Sequence, residues 1–336
     1  MSAMADRPKV LAGILYSGEP TLSRAIGALE AQQDIDLRIV LIGGFDEWEA
    51  HRRLYRTFNE TGTDVDMFVK VDADMVIRSE RLIAAAFATF RAAEELDQLT
   101  INVDDWLSGR SLSGLHVWRG DVRWAESVPH LFTDQVETTV SRKLRIPRSS
   151  VSLVSHAPDP SPEQVARFVA RRMLKARSVA SGRTASRYVD ILIAVLEQAL
   201  LDGASARQIA AAAIELALDQ PQEAEEFVLF QQGSPSTLQR LVERTRSDQD
   251  LTQNVLDRLV RLKEDGLAGV NPRLSQEVVP QSRSDGRLRK SLGALGGRQR
   301  NSEAGEQKPS DESLREIFWR AIDSMGGARS DPEARC

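Results

Sequence analysis

The chain has 336 residues, long enough for two domains, with 41% hydrophobic and 28% charged residues, an ordinary globular balance. Its net charge of −5 leaves no electrostatic footprint for nucleic acid. Its one cysteine, Cys336, excludes an intrachain disulfide or a cysteine metal cluster. Residues 1–9 lack the apolar core of a signal peptide. The most apolar helical stretch, 188–201, is interrupted by Asp190 and Glu197, so no transmembrane segment is expected. These features imply a reducing, cytoplasmic setting.

In chain order, residues 9–16 (Val10, Leu11, Ala12, Ile14, Leu15) read as a first buried strand, and Ser17-Gly-Glu-Pro20 as a turn. Thr21 or Ser23 caps a helix with Leu22, Ile26 and Leu29 on its apolar face. Residues 37–42 make a second strand ended by Gly43-Gly44, and residues 48–58 a second helix. Met67, Phe68, Val69 and Val71 then form a short β-branched and aromatic run, a third buried strand. Strands alternating with helices at this spacing imply βαβ units and a largely parallel sheet.

The third strand ends at Asp72-Ala73-Asp74. Two carboxylates about 4 Å apart repel by roughly 4 kcal/mol at an effective dielectric of about 20. A divalent cation with oxygen ligands relieves that repulsion. The other Asp-x-Asp pairs, Asp34/Asp36, Asp64/Asp66 and Asp248/Asp250, lie in polar stretches and read as solvated charges. Only Asp72/Asp74 closes an apolar strand, and open α/β sheets bind ligands at the carboxyl ends of their strands.

Further along, a helix is expected over 82–96, strands over 99–103 and 114–118, a short helix over 135–142 and a last strand over 151–156. Ser161-Pro162-Glu163-Gln164 carries an N-cap, a proline at the first helical position and a capping-box glutamine. Helical patterns follow over 184–201, 205–218, 223–231, 236–244 and 252–263. Residues 266–309 are rich in Gly, Ser, Arg and Gln and read as a disordered linker. Leu314, Ile317, Phe318, Ile322 and Met325 line one stripe of a final amphipathic helix, expected to dock on the 161–263 helices, a partner protein or a membrane.

The opening strand and turn, the helix after them, and above all Phe68-Val-Lys-Val-Asp-Ala-Asp-Met-Val-Ile77 resemble the GT-A glycosyltransferases of the family-2-like kind. The resemblance covers a little under half the chain, about residues 10–156, and implies an α/β GT-A sheet domain over 1–158; the patterns beyond it give an all-α domain over 161–265, a disordered linker over 266–309 and a terminal helix over 310–326. It implies transfer of a sugar from a nucleotide-sugar donor to a hydroxyl of a saccharide or glycoconjugate acceptor, with Mn2+ or Mg2+ as cofactor. Tyr16, Ser17, Glu19, Asp46, Asp72 and Asp74 would contact the donor; the usual Asp-Asp-Gly-Ser motif after the second strand reads Leu41-Ile-Gly-Gly-Phe-Asp46 here, so its base-binding aspartate is absent or replaced by Asp46. Asp72, Asp74 and His156 would hold the metal. Asp134 would be the general base, with Glu137 in reserve. His116 reads as structural or acceptor-facing. Trp106, Trp118 and Trp124 lie in the segment that would meet the acceptor, where aromatic faces stack on sugars and also build cores. A nucleotidyltransferase is disfavoured because Ser17-Gly-Glu-Pro20 lacks its Gly-rich, Arg-containing loop. A non-catalytic interaction protein on the same fold is the alternative from another class.

Overall fold

The computed structural model describes residues 7–126, 131, 136–149, 151–179, 182–203, 205–230, 234–265 and 308–323. Among them, β1 (Lys9–Tyr16), α1 (Leu22–Glu30), β2 (Asp36–Gly43), α2 (Glu47–Thr61) and β3 (Met67–Asp72) alternate as the sequence implies. Two very short strands follow the expected pattern less directly: β4 (Met75–Ile77) precedes α3 (Leu82–Ala92), and β7 (Lys143–Ile146) follows β5 (Gln98–Asp105) and β6 (Arg110–Arg119). β8 (Val154–His156) is the last strand.

The sheet order is β2-β1-β3-β6-β5-β8-β4, with β7 also on β5. β1 lies parallel to both β2 and β3. β3 and β5 are each antiparallel to β6 and so run the same way, and β8 runs parallel to β5. The carboxyl ends of β1, β3, β5 and β8 therefore lie on one edge of the sheet. The chain moves from β1 outward to β2, then back across β1 to β3. This reversal makes a topological switch point between β1 and β3, where open α/β sheets bind ligands.

β1 reads KVLAGILY and is buried on both faces, as a central parallel strand requires. One face packs Val10, Ala12, Ile14, Met67, Val69 and Val71 against α1 and α3. The other packs Leu11, Leu15 and Phe68 against Leu54, Tyr55 and Phe58 of α2. Gly13 sits where α2 comes closest, since a Cβ there would lie 2.0 Å from Leu54 Cδ1. Trp118 and Trp124 belong to this second face, Trp124 stacking on Tyr55 at 5.5 Å between centroids. Both are core residues.

The predicted helix over 135–142 does not form in the described part: residues 136–142 carry only an isolated bridge, Trp124↔Thr138, and no helical turn. The physical reason is competition from tertiary partners. Asp97 Oδ2 accepts from Ser141 N, Ser141 Oγ and Arg142 N at 2.6, 2.7 and 3.1 Å. The α3 helix also stops at Ala92 rather than running on to residue 96.

The helical region comprises α4 (Pro162–Ser178), α5 (Gly182–Asp202), α6 (Ser205–Asp219), α7 (Pro221–Leu229), α8 (Ser234–Ser247) and α9 (Leu251–Glu264). The capping box at α4 forms as read: Gln164 N donates to Ser161 Oγ at 3.2 Å, and Ser161 N donates to Gln164 Oε1 at 2.8 Å. Four alanines of α6, Ala210 to Ala213, are buried and let its neighbours approach closely within a separate core. The linker expected over 266–309 lies outside the described residues except for its last two positions.

The terminal helix, α10 (Asp311–Asp323), docks on none of the three surfaces anticipated for it. It packs beside α3 in the sheet domain, and Leu314, Phe318 and Ile322 enter the same core as β1 and β3. Arg142 donates to the Pro309 carbonyl at 3.0 Å and to Asp311 at 2.9 Å, and Arg315 donates to the Arg145 carbonyl at 3.0 Å. The sheet's α1/α3 face is thus completed from the far end of the chain.

Candidate functional site

The turn Asp72-Ala73-Asp74 stands at the switch point and is pinned on three sides. Ala73 N donates to the Leu15 carbonyl of β1 at 2.9 Å. Thr21 Oγ1, buried at the start of α1, donates to the Ala73 carbonyl at 2.8 Å. Ala157 N, just past β8, donates to the Asp74 carbonyl at 2.8 Å. The short β4–β8 pairing sets Met75 opposite His156, and the β5–β8 pairing sets Asp105 opposite His156. Four strand ends thus converge on one small volume.

The two aspartates have different partners. Asp72 Oδ1 lies 3.0 Å from Lys70 Nζ, one pleat back on the same face of β3. Burial would raise the Asp72 pKa, but Lys70 and His51 outweigh it and hold the carboxylate below its ordinary range. Asp74 Oδ2 lies 3.5 Å from His156 Nε2. Asp74 Oδ1 is buried without a hydrogen-bond partner. Burial pushes the Asp74 carboxyl up to about 6 against the pull of His156. Burial would lower His156, but the carboxylates of Asp74 and Asp105 outweigh it and lift the imidazole to about 9. At neutral pH the pair is therefore charged on both sides.

His156 is also held from behind, by Asp105. Sequence reading missed this residue as a member of the site, although Asp105 ends β5 as Asp72 ends β3. Two arginines of α4 face the same edge. The Arg172 guanidinium lies 3.2 Å from the Phe168 ring centroid, and that ring lies 5.9 Å from His156. Arg171 pairs with Glu47 at the start of α2. Burial, with Arg172 beside it, draws the Arg171 guanidinium down to about 9.

The remaining predicted residues fall as follows. Tyr16 ends β1 beside Gly43 of β2, at the same edge. Glu19 closes its own turn, accepting from Ser17 N and Ser17 Oγ at 2.6 Å each. Asp46 is the N-cap residue of α2, with no side-chain capping bond. Asp134 lies outside the described residues. Glu137 is exposed and next to Thr138, whose bridge partner Trp124 packs on Phe68. Phe68 lies four residues before Asp72, roughly 13 Å at about 3.3 Å per residue. His116 of β6 stacks on Trp118 and meets Gln98 at 3.1 Å, a structural setting. Trp106 is covered by Arg207, whose guanidinium lies 3.5 Å from the ring centroid.

No three Asp, Glu, His or Cys side chains among the described residues converge as a metal cage. Asp72, Asp74 and His156 are neighbours, but Asp72 is drawn to Lys70 and leaves Asp74 with His156. No described helix is long and apolar enough to cross a membrane.

No protein-family model matches the chain, and no curated protein does. Among solved structures it is similar to the mannosyltransferase PcManGT from Pyrobaculum calidifontis, in complex with GDP-Man and Mn2+. The identity is 13%, the coverage 73% of this chain and 87% of that chain, and the TM-score 0.34. So distant a likeness leaves the functional reading to the side chains themselves.

Proposed function

We propose that the chain is a metal-dependent glycosyltransferase of GT-A type, moving a sugar from a nucleoside-diphosphate donor to a hydroxyl of a saccharide or glycoconjugate. The observation that carries this reading is the Asp74 carboxylate. At the switch point its Oδ1 is buried without a partner, and a histidine nitrogen lies 3.5 Å from its other oxygen. A buried acceptor without a partner costs about 1–3 kcal/mol, more when charged, and a cation at Asp74 Oδ1 removes that cost.

The donor set fits a hard or borderline divalent ion: a carboxylate oxygen and an imidazole nitrogen, as Mn2+ accepts. Two protein ligands fall short of a full shell, which fits an ion shared with the oxygens of a diphosphate. When bound, such an ion stabilises charge developing on the leaving diphosphate, a contribution of several kcal/mol.

The chain's own residues supply the rest. The pinned 72–74 turn fixes Asp74 before ligand arrives, so little ordering remains on binding. Asp72, charge-compensated by Lys70, offers carboxylate oxygens to donor hydroxyls. Arg171 and Arg172 add to Lys70 and His156 as positive charge at an edge that also carries Glu19, Glu47, Asp72, Asp74 and Asp105. A carboxylate base, assigned to Asp134 by the family resemblance, takes the proton from the acceptor hydroxyl. The acceptor oxygen then bonds to the anomeric carbon as its bond to the diphosphate breaks, with inversion. A thermal-shift panel of nucleotide sugars with and without Mn2+ tests the reading. A ligand at about 100 times its Kd stabilises the fold by roughly 2.7 kcal/mol. A shift for one donor only with Mn2+ is expected. Indifference to every donor returns the chain to the class of non-catalytic interaction proteins.

A further inference from the structure

We infer that Asp105 is the positioning residue of this site, fixing which nitrogen of His156 faces Asp74. The inference rests on the proposed function for the identity of the ion, and on geometry alone for the orientation of the ring.

The Asp105 side chain is 0% exposed, and its Oδ1 lies 2.6 Å from His156 Nδ1. A carboxylate only accepts, so Nδ1 must donate. Asp105 cannot rotate away, because Oδ2 is engaged on its other side by two donors. Ser108 N donates to it at 2.9 Å, and so does Ser108 Oγ. The backbones are locked as well: Asp105 and His156 are register partners, and Trp106 N donates to the His156 carbonyl at 3.0 Å.

The charged ring turns Nε2–H toward Asp74 Oδ2, 3.5 Å away, and once it loses that proton, with the other kept on Nδ1, it presents the Nε2 lone pair there instead. Outer-shell carboxylates that hold a ligating histidine in this way typically contribute about 10–100-fold to metal affinity. Ser108 belongs to the same device, one step further out.

Asp105→Asn tests this sharply. Ser108 N can only donate, so the amide oxygen must face it, and the amide NH2 must then face Nδ1. Nδ1 becomes an acceptor, the proton moves to Nε2, and the lone pair is lost from the side of Asp74. Two readouts on the full chain separate the claims. The first is NMR of 15N-labelled histidine without metal, above the pH at which the ring titrates. It should show the proton on Nδ1 in the wild type and on Nε2 in Asp105→Asn. The second is electron paramagnetic resonance of Mn2+ with inorganic pyrophosphate, where the variant should bind about 10–100-fold more weakly. Ser108→Ala, a milder change, should move the Nδ1–H resonance and weaken Mn2+ binding less. A proton that stays on Nδ1 in Asp105→Asn overturns the inference. So does an inverted tautomer with unchanged Mn2+ affinity, or, where Asp105→Asn fails to fold, an unmoved resonance in Ser108→Ala. A wild type with Nδ1 protonated that binds no Mn2+ overturns the glycosyltransferase reading instead, and leaves Asp105 as the residue that orients His156.

Discussion

Lys70 decides how Asp72 behaves. Its ammonium is buried, and the carboxylate it meets is a third exposed, at 34%. Removing one partner of a fully buried pair costs about 3–5 kcal/mol; this half-open pair should cost less. Lys70→Met should therefore lower the denaturation midpoint, and Asp72→Asn on top of it should recover part of the loss. A double-mutant cycle by urea unfolding measures the coupling, and additive losses would show that the pair is not coupled. Asp134→Asn should leave donor binding intact and reduce transfer by about 10²–10⁴-fold. Steady-state kinetics beside donor calorimetry check it, and transfer within about twofold of wild type would remove Asp134 from the base role. The Asp72/Asp74 pair was legible in the sequence because an apolar run pointed at it. Asp105 was not, because its role comes from the β5–β8 register and from Ser108, neither of which is a local pattern.

Elements of strong local signal were read nearly to the residue. β1, β2, β3 and the α4 cap carry continuous apolar runs or a capping box, and these depend little on the rest of the fold. β4 and β7, three and four residues long, exist only because β8 and β5 offer them partners. The missing helix after residue 135 failed for the same reason in reverse, since Asp97 took backbone donors the helix needed. Among the helices, α6 and α9 are tied by Arg258 and Asp219, with Arg258 Nη1 donating to Asp219 at 3.0 Å. The hydrogen bond from Arg258 holds the Asp219 carboxyl below its ordinary value of 3.8. A carboxyl lowered on folding adds stability above its unfolded pKa, and that stability is lost as pH falls through the folded one. Wild type should therefore be more stable than Asp219→Asn at neutral pH, and the gap should close on acidification below about 4. Urea midpoints at several pH values measure it; a gap that does not change with pH would show that the pairing does not govern the titration.

At the scale of the molecule, the sheet domain is built from both ends of the chain. α10 covers the face that α1 and α3 leave open, and Leu314 and Phe318 are 0% exposed within the β1/β3 core. The amphipathic stripe was visible in the sequence, but its partner was not, because a hydrophobic face does not name what it meets. Phe318→Ala should cost about 3–5 kcal/mol, as large-to-small changes in a packed core do, and should lower the urea midpoint. A loss below about 1 kcal/mol would mean that α10 is not seated there. The proposal is that Asp74 and His156, at the carboxyl edge of the same sheet, hold a metal-bound diphosphate. It is tested most directly by titration calorimetry of nucleoside diphosphates into wild type and Asp74→Asn, each in Mn2+ and in chelator. Binding by the wild type in Mn2+ alone, lost in Asp74→Asn while the fold persists, is the predicted result. Equal affinity in all four conditions, or no binding in any, would contradict it.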